Sequence, residues 1–210
     1  MSPPLRLRST AGVTLVELLV ATALGLVGMA TILSFNRAQF FALRDQATQL
    51  DIQTSTRAIV DLFAREVRRA GRDPACTKAF AAVASGSASQ VHIQEDLNSN
   101  GVLDAATEDL TYRIVNSRRI ERVAGTTVDV LIDGVDLTGS RIRYFDGGGT
   151  ELLPSPALSA AQLAAARRVR LELAAAGTSF GSTRSTALVA RAATDVELRN
   201  RFFIATDSCP

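Results

Sequence analysis

The chain has 210 residues, of which 47% are hydrophobic, 21% charged and 5% aromatic. This composition is too apolar for a disordered chain and is sufficient for one compact core. The 23 basic and 21 acidic residues leave a formal charge of +2, so no direct binding to nucleic acid is predicted. The chain has only one histidine, His92, and two cysteines, Cys76 and Cys209. This small number excludes most zinc sites and any disulfide-rich scaffold.

The apolar residues concentrate near the N-terminus. Residues 18–36, LLVATALGLVGMATILSFN, contain no charged side chain. As a helix this run would be roughly 28 Å long, close to the ~30 Å thickness of the hydrocarbon core of a bilayer. A basic leader with Arg6 and Arg8 precedes it, followed by one carboxylate, Glu17. The run therefore predicts a membrane-spanning helix with an acidic residue near its start.

The leader differs from an ordinary secretory signal, in which small residues follow the apolar stretch. Here Ala11 and Gly12 precede it, so cleavage after Gly12 would remove residues 1–12 and keep the helix. The segment AGVTLVELLVA resembles the class III signal of type IV prepilins, in which a glycine and a hydrophobic residue are followed by Thr, Leu, a branched apolar residue and Glu. That family usually has Phe where Val13 stands in this chain.

The prepilin resemblance assigns a role to three residues. It implies that prepilin peptidase cuts between Gly12 and Val13, that the new terminus at Val13 is N-methylated, and that Glu17 is the assembly residue. A carboxylate without a partner in lipid costs on the order of a few kcal/mol, and the Val13 amine of a neighbouring subunit would be its partner. The alternative is a plain membrane anchor whose Glu17 reaches the headgroups.

Helical spacing continues beyond the apolar run. Apolar residues recur at intervals of three and four, at Phe40, Leu43, Ala47, Leu50, Ile59, Phe63 and Val67. No proline lies between Pro4 and Pro74, so one helix is predicted from about Val13 to about Ala70, ended by Gly71 and Pro74. The predicted divisions are a leader at 1–12, a membrane and assembly half at 13–36, an amphipathic half at 37–72 and a head at 73–210.

The head is predicted to be rich in β-strands. Short runs with strand composition lie at 91–94, 110–115, 120–123, 128–135, 141–145, 168–173 and about 186–198. Ser159 and Gln162 have the spacing of a capping box, which predicts one short helix. The predicted fold class is α+β, with the second half of the long helix packed on an antiparallel sheet.

The order of these elements supports a second resemblance. The chain is similar to PilW-like minor pilins and to J-type minor pseudopilins. The resemblance rests on a long helix ending in REVRRAGRDP, the acidic DLNSNG loop before a TYRI strand, and the segments VDVLIDGVDLTGSRIRYFD and LSAAQLAAARRVRLEL. This resemblance implies a non-enzymatic minor subunit that primes or joins a type IV pilus at or near its tip, through helix packing with other pilins. It would reside in the inner membrane with a periplasmic head and then on the cell-surface pilus.

Two alternatives to the pilus remain open. One is a minor pseudopilin of type II secretion, and the other is a membrane-tethered periplasmic binding module that never enters a filament. An enzyme is not expected. The G-x-S-x-G string at 177–181 lacks a histidine downstream of the serine, and His92 has no predicted catalytic role.

Two further sites are predicted in the head. Asp96, Asn98 and Asn100 carry side-chain oxygens at alternate positions before Gly101, and Asp104 lies at the ninth position, as in the first part of an EF-hand loop. The twelfth position is Thr107 rather than an acid, so the loop is either a calcium site or a hairpin that turns at 100–101. Cys76 and Cys209 would both be exported, which favours a disulfide over two free thiols.

Overall fold

The structure is a computed structural model that describes residues 12–77, 79–178 and 187–200. Its longest element is helix α1, Leu15–Arg69. The predicted helix from about Val13 to about Ala70 is therefore confirmed. The chain divides into two compact units, Met1–Arg44 and Asp45–Pro210, and α1 contributes residues to both.

The C-terminal end of α1 is capped from two directions. Gly71 adopts the left-handed conformation with φ 76° and donates its N–H to the carbonyl oxygen of Gln94 at 2.7 Å. The side-chain amide of Asn200 lies 3.0 Å from the carbonyl oxygen of Arg69 and 3.3 Å from that of Ala70. The last carbonyl groups of a helix lack partners within the helix. Asn200 supplies a hydrogen-bond donor to them, so the last described residue of the chain contacts the C-terminal end of α1.

The described strands form two antiparallel sheets. In the first, neighbouring strands follow chain order: β1 Ser85–Gly86, β2 Gln90–Gln94, β3 Asp109–Val115, β4 Arg119–Ala124 and β5 Thr127–Asp133. The second has the order β7-β6-β8-β9, with β6 Arg141–Phe145, β7 Glu151–Leu152, β8 Arg168–Thr178 and β9 Ala187–Glu197. The α+β class is confirmed, although the strands form two sheets rather than one.

Gly134 marks the change from the first sheet to the second. Its φ is 79°, and a Cβ atom there would lie 2.6 Å from the carbonyl oxygen of Ala176. Only glycine fits this approach, after which Val135 pairs with Ala175 of β8. Between β7 and β8 lies the short helix α2, Ala160–Ala165, whose predicted capping box of Ser159 and Gln162 is present.

The hydrophobic core lies in the unit that begins at Asp45. Ile59, Phe63 and Val67 of α1 are buried there with side chains from both sheets. The rings of Phe63 and Tyr112 meet edge to face with centroids 5.1 Å apart. The predicted apolar stripe is therefore confirmed from residue 59 onward.

The earlier part of that stripe is not buried. Phe40, Leu43 and Leu50 are 56 to 64% exposed, and the first buried residue of the described helix is Ile52. Ile52 packs with Ala175 and Ala190. The core therefore covers only the last third of α1.

Candidate functional site

The apolar segment presents hydrophobic surface on every side. All described side chains from Gly12 to Arg44 are exposed. Within the described residues, one helix is long and apolar enough to cross a membrane, and none of its most apolar stretch is buried. A helix that is hydrophobic all round requires lipid or other helices around it.

Hydroxyl groups in this segment have partners inside the helix. The side chain of Thr22 donates to the carbonyl oxygen of Leu19 at 2.9 Å, and that of Thr31 donates to Val27 at 2.7 Å. Ser34 likewise donates to Ala30 at 2.8 Å. A polar group in the hydrocarbon core must find a partner within the protein. These bonds meet that requirement without a second chain.

Glu17 lies in the first turn of α1. Its backbone N–H donates to the side-chain oxygen of Thr14 at 3.3 Å, and Leu18 donates to the Thr14 carbonyl at 3.1 Å. The sequence Thr14-x-x-Glu17 has the spacing of a capping box, and a carboxylate is favoured at the positive end of the helix dipole. The Thr14 side chain thus caps the helix start, which the T-x-x-E spacing could have revealed, while Glu17 contributes its backbone N–H to this cap.

The predicted cleavage site lies immediately before this turn. Gly12 and Val13 are exposed and not helical, and Val13 is 72% exposed. Exposed backbone outside regular structure is the usual target of proteolysis. Cleavage and N-methylation at these residues stay predictions.

A buried polar junction joins α1 to the first sheet. Glu66 is 5% exposed and accepts a hydrogen bond from the Tyr112 hydroxyl at 2.6 Å. Arg122 forms an ion pair with Glu66 at 3.1 Å and lies 3.5 Å from Asp129. Burial and the Glu66 charge raise the pKa of Tyr112. The sequence patterns did not predict this junction, although a carboxylate between Phe63 and Val67 on an apolar face was a visible signal.

A second buried carboxyl group lies beside the end of α1. Glu95 is 2% exposed, and Arg69 contacts its Oε1 atom at 3.1 Å. Its Oε2 atom is buried without a hydrogen-bond partner among the described residues. Burial raises the pKa of this carboxyl, and Arg69 opposes that rise.

The predicted calcium loop is closed by its own hydrogen bonds. The Asp96 carboxylate accepts the N–H groups of Asn100 at 3.1 Å and Gly101 at 3.0 Å. The side-chain oxygens of Asn98, Asn100 and Asp104 each accept a backbone N–H of the same loop. These side chains therefore act as turn acceptors.

Glu108 completes this loop, although the sequence placed it one residue beyond the expected closing ligand. Its side chain is fully buried and accepts the N–H groups of Leu97 at 2.8 Å, Asn98 at 3.1 Å and Asp104 at 2.9 Å. In the part of the chain that the structure describes, no group of three or more acidic, His or Cys residues is placed to hold a metal. Calcium binding at this loop stays a prediction.

Arginines cover the outer face of the second sheet. Arg143, Arg168 and Arg170 place their guanidinium groups 4.8 to 5.3 Å from the centre of the Phe145 ring. Acidic residues on neighbouring strands pair with them, as Arg143 does with Glu172 at 3.1 Å. The positive charge of this face is therefore balanced locally.

The remaining residues singled out in the sequence are a histidine, a serine and two cysteines. His92 is half-buried on β2 and contacts Asp109 of β3. Ser179, the serine of the G-x-S-x-G string, lies outside the described residues, and so does Cys209. Cys76 lies within the described residues, in the segment after α1. The disulfide stays a prediction.

Comparison with known proteins adds one match. A protein-family model described as PpdB, prepilin peptidase-dependent protein B, matches residues 45–187, more than half of the chain. No curated protein and no solved structure matches. The matched range starts after the apolar run, so the likeness is independent of the leader and Glu17.

Proposed function

Because the chain belongs to the prepilin peptidase-dependent protein B family, we propose that it is a minor subunit of a type IV pilus. It is a pilin-like protein of the prepilin peptidase pathway. In the proposed pathway the protein is stored in the inner membrane with residues 45–210 in the periplasm. Prepilin peptidase removes residues 1–12, and the mature protein primes or joins the filament at or near its tip.

The combination of leader and helix carries this proposal. Gly12, Val13 and Glu17 have the prepilin spacing. Gly12 and Val13 come just before α1 and Glu17 lies in its first turn, at the start of a segment that is exposed and apolar on all sides. Such a helix can move from lipid into a bundle of similar helices without exposing apolar surface to water. Glu17 would guide that step by pairing with the Val13 amine of a neighbouring subunit.

Recovery in sheared filaments tests the role of Glu17. We expect Glu17→Ala to lower the amount incorporated by roughly tenfold, the effect of losing a contact worth about 1.4 kcal/mol. Asp61→Ala, an exposed acid on the same helix, is the matched control and should be incorporated normally. Unfolding of the Asp45–Pro210 unit should be the same in both variants. Normal incorporation of Glu17→Ala would contradict the proposed role.

The same filaments test the minor status of the subunit. A trace amount beside a different dominant pilin is expected. Recovery as the main component would contradict minor status. Incorporation only when the type II secretion machinery is present would favour the pseudopilin alternative.

A further inference from the structure

Two arginines and two phenylalanines lie on one face of α1 directly after the apolar run. Arg37, Phe40, Phe41 and Arg44 have the spacing i, i+3, i+4 and i+7, which places them on the same side of a helix. All four are exposed, Phe40 by 56% and Phe41 by 38%. We refer to these residues as the aromatic-arginine cluster.

Contacts within the cluster order its side chains. The phenylalanine rings meet edge to face with centroids 6.5 Å apart. The Arg44 guanidinium lies 5.1 Å from the centre of the Phe40 ring, a cation–π arrangement. The cluster thus presents aromatic rings and guanidinium groups together on one side of the helix.

The charge pattern around the cluster favours an anionic partner. Between Leu18 and Arg44 the sequence contains no acidic residue, and its only charges are Arg37 and Arg44; Asp45 is the first acidic residue after Glu17. The apolar run of residues 18–36 is roughly 28 Å long as a helix. With that run across the hydrocarbon core, Arg37 reaches the level of the lipid phosphates.

We propose that the aromatic-arginine cluster binds the phosphodiester headgroups of anionic phospholipids at the C-terminal end of the membrane-spanning run. This inference rests on the proposed membrane-stored state of the subunit. Guanidinium groups bind phosphate oxygens through paired hydrogen bonds, and aromatic rings favour the interfacial zone of a bilayer. The long arginine side chains can reach the phosphates while their stems stay against apolar surface.

The one-sided placement of the cluster has a mechanical consequence. Headgroup binding fixes the depth of the helix in the membrane, and it also fixes the rotation of the helix about its own axis. Release into a filament then requires both arginines to leave the phosphates. A basic residue near an anionic membrane surface contributes a preference of roughly fivefold, so we expect the pair to enrich anionic lipid around the helix.

Fluorescence of the full chain in lipid vesicles tests the proposal. The sequence contains no tryptophan, so Phe41→Trp introduces a single probe within the cluster. Two vesicle preparations are compared, each with an equal minor fraction of brominated lipid, either phosphatidylglycerol or phosphatidylcholine. We expect the brominated anionic lipid to quench the tryptophan several-fold more strongly, and bromines near the headgroup to quench more than bromines deep in the acyl chain.

Charge variants in the Phe41→Trp background identify the residues responsible. Arg37→Gln together with Arg44→Gln should make quenching by the two lipids equal. Arg57→Gln together with Arg65→Gln is the matched control, because it removes the same charge from exposed positions further along α1. The control should keep the preference for anionic lipid.

Several outcomes would overturn the proposal. Equal quenching by both lipids in the Phe41→Trp protein would remove the headgroup preference. Absence of quenching by either lipid would mean that another helix covers this face of α1. If an alkaline wash removed the protein from the vesicles, the cluster would not lie at a bilayer. These vesicles contain no filament machinery, so such results leave leader cleavage and filament recovery as separate tests of the proposed function.

Discussion

The two units of the chain use apolar side chains in opposite ways. From Leu15 to Arg44 every described side chain is exposed, including leucines, valines and phenylalanines. Further along α1, Ile59 and Phe63 are buried in a core shared with both sheets, and Ile52 packs with Ala175 and Ala190. One helix therefore contains a segment that depends on its surroundings and a segment that belongs to a folded domain.

This difference separates the contacts that fold the chain from the contacts that the first part of α1 makes with its surroundings. The unit that begins at Asp45 has its own core, so its stability comes from contacts inside the chain. The unit that ends at Arg44 has no buried side chain among its described residues, so its apolar surface depends on lipid or on other helices around it. Substitutions in the two units should accordingly change different measurements.

The largest expected difference comes from truncating one apolar side chain in each unit. Phe63→Ala removes a fully buried ring that packs on Tyr112, and it should lower the free energy of unfolding by about 3–5 kcal/mol. Leu26→Ala, at a position that is 69% exposed, should change it by less than about 0.5 kcal/mol. Urea unfolding of the full chain in mild detergent measures both. Equal losses would contradict the separation of the two units.

Within the second unit, the hydrogen bond at the junction between α1 and the first sheet should contribute more stability than a bond to a neutral carbonyl. Tyr112→Phe removes the hydroxyl that donates to the buried Glu66 carboxylate, and it should cost about 1.5–3 kcal/mol. Tyr144→Phe removes a donor to the neutral carbonyl of Gln90 at 2.6 Å and should cost only about 0.5–1.5 kcal/mol. If the Tyr144→Phe loss matches or exceeds that of Tyr112→Phe, the buried charge at Glu66 is not what makes the junction strong.

The sequence was informative where structure depends on local pattern. The limits of α1, the cap at Ser159 and Gln162, and the positions of most strands follow from spacing and turn residues. Contacts between distant segments could not be predicted in this way. Asn200 contacts the end of α1 about 130 residues away, and the periodicity that placed Phe40 on an apolar face does not say whether any element covers that face.

The acidic loop shows a second limit of sequence patterns. Spacing predicted Asp96 as a ligand, and the structure uses its carboxylate to accept backbone N–H groups. Glu108 looked displaced in the sequence because only its position in a ligand pattern was considered. Its burial and its three bonds to the loop depend on a folded backbone.

Glu95 should make the stability of the second unit depend on pH. Burial raises its pKa in the folded chain above the ordinary value of 4.5, so the folded state holds a proton that the unfolded state has released. Stability from this group is present below about pH 4.5 and is lost as the pH rises through the folded pKa. Glu95→Gln has no carboxyl group to ionise and so avoids this loss of stability. Its melting temperature relative to the unsubstituted protein should therefore rise as the pH increases from about 4.5 through the folded pKa of Glu95.

A carboxyl with the opposite shift provides the control for Glu95. Hydrogen bonds from Arg143 lower the pKa of Glu151, so its stabilising contribution is present above the ordinary value of 4.5 and is lost as the pH falls through the folded pKa. Glu151→Gln should therefore be less stable than the unsubstituted protein at neutral pH, with a difference that shrinks in acid. If the stability differences caused by Glu95→Gln and Glu151→Gln changed with pH in the same direction, the opposite pKa shifts assigned to these two carboxyl groups would be contradicted.

The smallest expected effect is calcium binding by the loop around Asp96. A weak extracellular-type site with a dissociation constant of about 0.1–1 mM would stabilise the folded chain by roughly 0.4–1.4 kcal/mol in millimolar calcium. Asp96→Ala should abolish the calcium-dependent shift in melting temperature, whatever its own effect on stability. Identical melting of the unsubstituted protein with and without calcium would leave the loop as a hairpin held by its hydrogen bonds.

Leader removal is the most direct test of the central claim that the chain is processed and assembled as a pilin. The intact mass of protein extracted from membranes should equal that of residues 13–210 with one added methyl group. In cells that lack prepilin peptidase, the mass should be that of the full chain. A full-length mass in cells with an active peptidase would contradict the account, because the nitrogen of Val13 would then remain in a peptide bond with Gly12 and no Val13 amine would exist to pair with Glu17 of a neighbouring subunit.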